Sequence, residues 1–236
     1  QALDFVARIG KTPVVVNDSR GFFTSRVFST YFEEGMAMLA EGVASALLEN
    51  AGRQTGMPLG PLAVADEVAL DLLQKVIKQT RADLGSAYTP PPSAPVIELF
   101  VERLGRLGKK SGKGFYDYTD AGRRLWPGLA DHFPRAARQP DVAAVKQRLL
   151  HIQAVEAVRC LAEGVVGNTT DGNVASLLGW GFPPWAGGVF AYIDTVGVDR
   201  FVADCEALAA RVGPRFAVPD LLKQLAGTGR KLRDAR

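Results

Sequence analysis

An all-α chain made of two tandem, duplicated helical domains is the fold class that this sequence predicts. Helical periodicity covers most of the 236 residues. Only one β-branched run stands out, Thr12-Pro13-Val14-Val15-Val16-Asn17-Asp18. The halves also resemble each other: residues 26–43 align without gaps on 148–165. Arg26 falls on Arg148, Glu34 on Glu156, and Leu39-Ala40-Glu41-Gly42-Val43 on Leu161-Ala162-Glu163-Gly164-Val165. Further on, Gly56-Met57-Pro58 resembles Gly181-Phe182-Pro183, and Asp66 and Asp71 fall on Asp194 and Asp199. That spacing is far longer than a solenoid repeat, so it implies two domains rather than an array.

The elements follow in order. Residues 2–9 have helical spacing and stop at Gly10. The β-branched run then reads as a short strand, and Ser19-Arg20-Gly21 as a turn. From Phe22 to Gly42, Val27, Phe28, Tyr31, Phe32, Met36 and Leu39 recur at helical intervals. A helix over 44–55 stops at Gly56-Met57-Pro58-Leu59-Gly60-Pro61. Pro61 suits the first turn of the next helix, which breaks near Val68. Helices over 70–84 and 95–105 flank a rigid Thr89-Pro90-Pro91-Pro92-Ser93 connector. Gly114-Phe115-Tyr116-Asp117-Tyr118 is a short extended piece. Residues 119–141 lack a period and read as a linker, after which helices resume at 141–163, 170–178, 186–194, 198–212 and 219–226.

Composition excludes several function classes. The formal net charge of +3, from 28 basic and 25 acidic residues, is too small and spread out to support nucleic-acid binding. Cys160 and Cys205 provide neither a disulfide scaffold nor a multi-cysteine metal site. No apolar run is long enough to cross a bilayer and no signal peptide precedes the first element, so a bacterial cytoplasmic location is expected. The start at Gln1, within a helix, reads as an excised part of something longer. Neither a Gly-x-Gly-x-x-Gly turn after a strand nor a Gly-x-Ser-x-Gly elbow occurs. His132 and His151 are expected to be loop or helix-surface residues, not catalytic or metal ligands.

Asn17-Asp18-Ser19-Arg20-Gly21-Phe22-Phe23-Thr24-Ser25-Arg26-Val27 resembles the start of the C-terminal domain of the L-3-hydroxyacyl-CoA dehydrogenase family. Gly56-Met57-Pro58-Leu59-Gly60-Pro61 with Asp66 is similar to its next block, and Gly108-Lys109-Lys110-Ser111-Gly112-Lys113-Gly114-Phe115-Tyr116-Asp117-Tyr118 to its closing block. Leu161-Ala162-Glu163-Gly164 and Gly179-Trp180-Gly181-Phe182-Pro183-Pro184 resemble the extra C-terminal domain of multifunctional fatty-acid oxidation α-subunits, which also carry an enoyl-CoA hydratase.

The resemblance implies the 6-phosphogluconate-dehydrogenase C-terminal-like fold, with residues 141–236 packed on 15–118 as a pseudo-dimer. The implied organisation is the end of a linker helix at 1–10, a first C-terminal domain at 11–118, a linker at 119–140 and the duplicated domain at 141–236. It implies oxidation of 3-hydroxyacyl-CoA to 3-ketoacyl-CoA with NAD in fatty-acid β-oxidation. The cofactor and a catalytic His–Glu pair would lie in a Rossmann domain that this chain does not contain. The chain is then expected to hold no catalytic residue, to bind no NAD alone and to be inactive in isolation. Its partners would be the Rossmann and hydratase domains, and a thiolase subunit.

Residue by residue, Ser25 aligns with an asparagine that contacts substrate near its 3-oxygen in the single-function enzymes. Serine is shorter but keeps a donor and two acceptor sites; the other reading is a serine serving backbone N–H groups at a helix start. Phe22 or Phe23 would line the acyl channel. Leu178 lies where multifunctional enzymes can place a tyrosine, leaving an apolar contact. Lys109 and Lys110 are candidates for CoA phosphates, against a solvated turn. Arg26, recurring as Arg148, is expected to reach a carboxylate on the next helix or a helix end rather than a CoA phosphate, and Glu41 and Glu163 to be structural. Trp180 and Trp185 are expected to fill the inter-domain core. The alternative function is a helical dimerisation or scaffold module that docks a thiolase without binding substrate.

Overall fold

The computed structural model describes residues 1–234. Helices dominate it: α1 (Ala2–Arg8), α2 (Thr24–Ala40), α3 (Ser45–Gln54), α4 (Pro61–Val68), α5 (Leu70–Leu84), α6 (Ala94–Glu98), α7 (Leu129–His132), α8 (Val142–Ala162), α9 (Thr169–Gly179), α10 (Val189–Val196), α11 (Val198–Val212) and α12 (Asp220–Leu225). A π-helical turn, Leu99–Arg103, extends α6. The sheet is a single antiparallel ribbon of β1 (Tyr116–Thr119) and β2 (Gly122–Leu125), in which Tyr116 faces Leu125.

Two compact units divide the chain: Thr30–Leu150, and Gln1–Ser29 together with His151–Arg236. Each combines segments from both sides of the 119–140 stretch. That stretch was expected to be aperiodic, yet it contains β2 and α7 with buried Leu129. Its Ala136 amide and Gln139 side chain both donate to the Gly42 carbonyl, at 2.9 Å each.

In the unit at 30–150, Tyr31, Met36 and Leu39 of α2 are buried with Leu48, Leu62, Leu70 and Phe100. Almost every residue from Tyr31 to Leu39 is buried, so this part of α2 is enclosed rather than amphipathic. Gly35 lets α2 approach Pro61, whose ring occupies the space where a Cβ would stand. The ribbon closes this unit. Phe115 packs on Phe100 at 4.3 Å between ring centres, and Arg106, buried over Trp126, donates to the Gly114 carbonyl and to Asp117.

In the other unit, residues 151–160 of α8 are likewise mostly buried. Ile152, Leu208 and Phe216 form one apolar cluster. Phe23, Phe182, Phe190 and Phe201 are fully enclosed.

Several expectations are corrected. Residues 12–18 form no strand; one antiparallel bridge joins Val16 to Val166, because no second extended segment offers a ladder. His151 is buried rather than on the helix surface: Nδ1 meets the Tyr192 hydroxyl at 3.0 Å and the ring stacks on Phe201. Trp180 is buried, against Phe23 of its own unit, but Trp185 is 60% exposed because it projects from the short turn Pro184–Ala186.

Candidate functional site

The turn that leads into α2 holds an exposed non-glycine residue, Phe22, in the left-handed region. Gly21 and Phe22 lie at φ 76° and 49°. A non-glycine residue there costs about 1–2 kcal/mol. The turn is fixed by the Phe22 amide donating to the Ser19 carbonyl (2.8 Å) and the Arg26 amide to the Gly21 carbonyl (3.2 Å). It sends neighbouring aromatic rings opposite ways. Phe23 is fully buried against the edge of Trp180 (5.8 Å) and beside Phe190, whereas Phe22 is 54% exposed. Ser25, in the first turn of α2, is also exposed.

Leu178 belongs to the same unit. It is 69% exposed at the end of α9. The next residue, Gly179, abuts the turn: a Cβ there would sit 3.2 Å from Cγ2 of Thr24. Trp180 then donates to Gln153 Oε1 at 3.0 Å, which anchors the end of α9.

Residues 156–166 hold this turn at both ends. Upstream, the Asn17 amide donates to the Val165 carbonyl (2.9 Å) and its side-chain amide to the Gly164 carbonyl (2.8 Å). Downstream, Arg26 Nε donates to Glu156 (2.6 Å), and its two terminal nitrogens donate to Glu163 (2.5 and 2.9 Å). The Arg26 pairing keeps the Glu163 carboxyl below the usual carboxylate range.

The same arrangement recurs within the other unit. Arg148 Nε donates to buried Glu34, and its terminal nitrogens donate to Glu41 at 2.6 Å each. Gln139 donates to the Gly42 carbonyl as Asn17 does to that of Gly164. Every partner pair is one offset apart: 17 and 139, 26 and 148, 34 and 156, 41 and 163, 42 and 164. Arg26 thus meets carboxylates as expected, Glu156 on α8 and Glu163 at the end of that helix, rather than on the helix that follows α2. Asn17 and Gln139 were missed, although extending the ungapped alignment nine residues upstream of Arg26 would have paired them.

Likeness continues at the two aligned aspartates. Asp66 accepts from the backbone amides of Phe115 (2.8 Å) and Tyr116 (2.9 Å) and from the Tyr118 hydroxyl (3.0 Å). Asp194 accepts from the Leu232 amide at 2.7 Å. Burial raises the Asp66 carboxyl to about 6 despite its three donors. Glu49, buried beneath the Tyr116 hydroxyl at 2.6 Å, is raised for the same reason.

The lysines lie in the other unit and have acidic partners. Lys109 pairs with Glu67 at 2.7 Å, and Lys110 with Asp71 at 2.6 Å. Among the described residues no group of three or more His, Cys, Asp or Glu converges as a metal site would require. The two-stranded antiparallel ribbon contains no parallel βαβ unit, so the described residues do not form a dinucleotide cradle. No helix of the described residues is long and apolar enough to cross a membrane.

Comparisons with known proteins give the chain several relatives. The chain is 34% identical over 230 residues to the fatty acid oxidation complex subunit alpha of Shewanella amazonensis, covering 96% of this chain and 32% of that protein. It is 35% identical over 229 residues to the protein of the same name in Shewanella sp. strain ANA-3, covering 94% and 32%. The chain therefore spans about a third of the length of these curated relatives. Two crystal structures share the fold. One is a 3-hydroxybutyryl-CoA dehydrogenase from Escherichia coli (TM-score 0.72, 23% identity, 94% of this chain and 63% of that one). The other is the dehydrogenase part of multifunctional enzyme 1 from C. elegans (TM-score 0.68, 22% identity, 94% and 52%). Residues 21–118, from the strained turn into the tyrosine-rich strand, match the family model of the 3-hydroxyacyl-CoA dehydrogenase C-terminal domain.

Proposed function

We propose that the chain is the substrate-side part of an NAD-dependent L-3-hydroxyacyl-CoA dehydrogenase of fatty-acid β-oxidation. The observation that carries this reading is the strained turn, which leaves Phe22 and Ser25 exposed at the start of the matched domain. Backbone strain held beside exposed side chains is typical of ligand-contacting positions. On this reading Ser25 donates to or accepts from the substrate near its 3-oxygen, and Phe22 and Leu178 give the acyl portion apolar contact. Lys109 and Lys110 exchange Glu67 and Asp71 for CoA phosphates when substrate binds. The nicotinamide, the general base and the hydride acceptor belong to a Rossmann domain elsewhere in the enzyme, so the chain alone is inactive. A hydratase domain and a thiolase subunit complete the assembly.

The reading includes a duplication. The first arginine meets the second pair of glutamates and the second arginine meets the first pair, a reciprocity that a two-fold relation between copies produces. Joining the copies in one chain removes the association cost of a separate partner.

Titration calorimetry with acetoacetyl-CoA tests the assignment. Heat of binding to the full-length protein, weakened in this chain alone, is expected. Absence of heat from both at millimolar ligand would favour the scaffold alternative.

A further inference from the structure

We infer that Glu163 and Glu156 are positioning residues: acting through Arg26, they hold the exposed turn at 21–25 in its strained, ligand-facing form. This inference rests on the proposed contact of Ser25 and Phe22 with substrate.

The internal repeat acts as its own control. The clamp exists twice, with the same residue types and the same bidentate geometry. What precedes the arginine differs. Before Arg148 the positions aligned with Gly21 and Phe22 are Ala143 and Ala144, and both lie within α8 as ordinary helix. Before Arg26 the helix starts later, and the chain instead makes two consecutive left-handed residues. Phe23 and its counterpart Val145 are buried alike, so the difference is confined to the turn.

A turn of this kind needs outside support. Continuing the helix through Phe22 would relieve the left-handed conformation and satisfy more backbone groups. What opposes that relaxation is fixation at both ends. Asn17 is tied to the carbonyls of Gly164 and Val165, and Arg26 to Glu156 and Glu163. The guanidinium also lies 3.5 Å from the Ser19 hydroxyl, next to the carbonyl that receives the Phe22 amide. Arg159 braces Glu156 at 2.9 Å and is itself tied to the carbonyls of Arg215 and Ala217. The Glu156 carboxylate is therefore held by a wider network before Arg26 meets it. Phe22 and Ser25 sit four residues and one residue before the clamped arginine, so losing the clamp frees them first.

The test compares Glu163→Gln with Glu41→Gln, its counterpart in the other clamp, in the longest natural polypeptide that carries this chain. Reduction of acetoacetyl-CoA by NADH is followed together with amide exchange at Phe22. Glu163→Gln is expected to lower kcat/KM by about fivefold or more, whereas Glu41→Gln changes it by less than about twofold. Glu163→Asp, which keeps the charge, is expected to restore most of the loss. Exchange at the Phe22 amide should accelerate only in Glu163→Gln. Equal kinetics and equal exchange in the two glutamine variants would overturn the inference. If Phe22→Ala and Ser25→Asn leave turnover and KM unchanged while Glu163→Gln still accelerates exchange, the substrate reading fails but the positioning stands. Unaltered exchange in Glu163→Gln overturns the positioning whatever the kinetics.

Discussion

Arg26 grips Glu163 through both terminal nitrogens, at 2.5 and 2.9 Å, and Arg148 repeats that grip on Glu41. The two clamps differ in depth. Glu163 and Glu41 are each about half exposed, but Glu34 is 1% exposed beside an arginine at 7%, whereas its counterpart Glu156 is 13% exposed beside an arginine at 21%. Depth decides what each is worth, because a buried charge deprived of its partner cannot turn to water.

Arg148→Met should therefore lower the unfolding free energy by about 3–5 kcal/mol, since buried Glu34 loses its guanidinium partner. Arg26→Met should cost less, about 1–2 kcal/mol, because solvent can reach Glu163 and Arg159 still pairs with Glu156. Urea unfolding of the two variants measures the order. Equal losses would show that burial does not set the difference.

The junction of α4 and α5 offers a stability test free of side-chain chemistry. Ala69 lies at φ 79°, ψ 123°, and Gly197 occupies the equivalent junction of α10 and α11 at φ 91°, ψ 131°. Ala69→Gly should raise stability by about 1 kcal/mol by relieving strain, partly offset by the entropy of the unfolded chain. Gly197→Ala should lower it by about 1–2 kcal/mol, and because no atom lies within 4 Å of the added Cβ, the cost is in the backbone. Thermal midpoints of both variants give the signs directly.

Asp66 couples stability to pH. Its folded value is raised from 3.8 to about 6 by burial, so the folded protein holds this proton more tightly than the unfolded chain. The contribution is fully present below the unfolded value of 3.8 and is lost as pH rises through about 6. Glu49, also raised by burial, acts in the same sense. The margin of the wild-type chain over Asp66→Ala should shrink by about 2–3 kcal/mol between pH 4 and 7. Asp66→Ala should still be the less stable protein throughout, because the amides of Phe115 and Tyr116 lose their acceptor. Unfolding curves of both proteins across that range check the slope; a margin that grows with pH would contradict the assignment.

Ser25→Asn tests the proposed substrate contact. The amide extends farther than the hydroxyl from the same exposed position, so KM or turnover of the full-length enzyme should change by about threefold or more. Steady-state kinetics with a 3-hydroxyacyl-CoA decide it, and unchanged constants would remove Ser25 from the site.

Local pattern alone determined the helical class of this protein. The expected helices at 70–84 and 198–212 coincide with α5 and α11, because each has one apolar stripe and a polar remainder that the helical period exposes in sequence. The recurring residues were equally legible, since Arg26, Glu34 and Glu41 reappear in type at one offset, as Arg148, Glu156 and Glu163. Their partners were not. Nothing local to Arg26 indicates that its carboxylates lie 130 and 137 residues away, or that Asn17 serves the Gly164 carbonyl 147 residues on. The β-branched run at 12–18 became one bridge for the same reason: strand formation depends on a partner that the run itself does not encode. His151 and Trp185 exchanged their expected surroundings, because burial is set by what packs over a residue. The left-handed turn at Phe22 is also tertiary in origin. Phenylalanine does not favour that conformation, and only the fixation of Asn17 and Arg26 on residues 156–166 makes it the lower-energy choice.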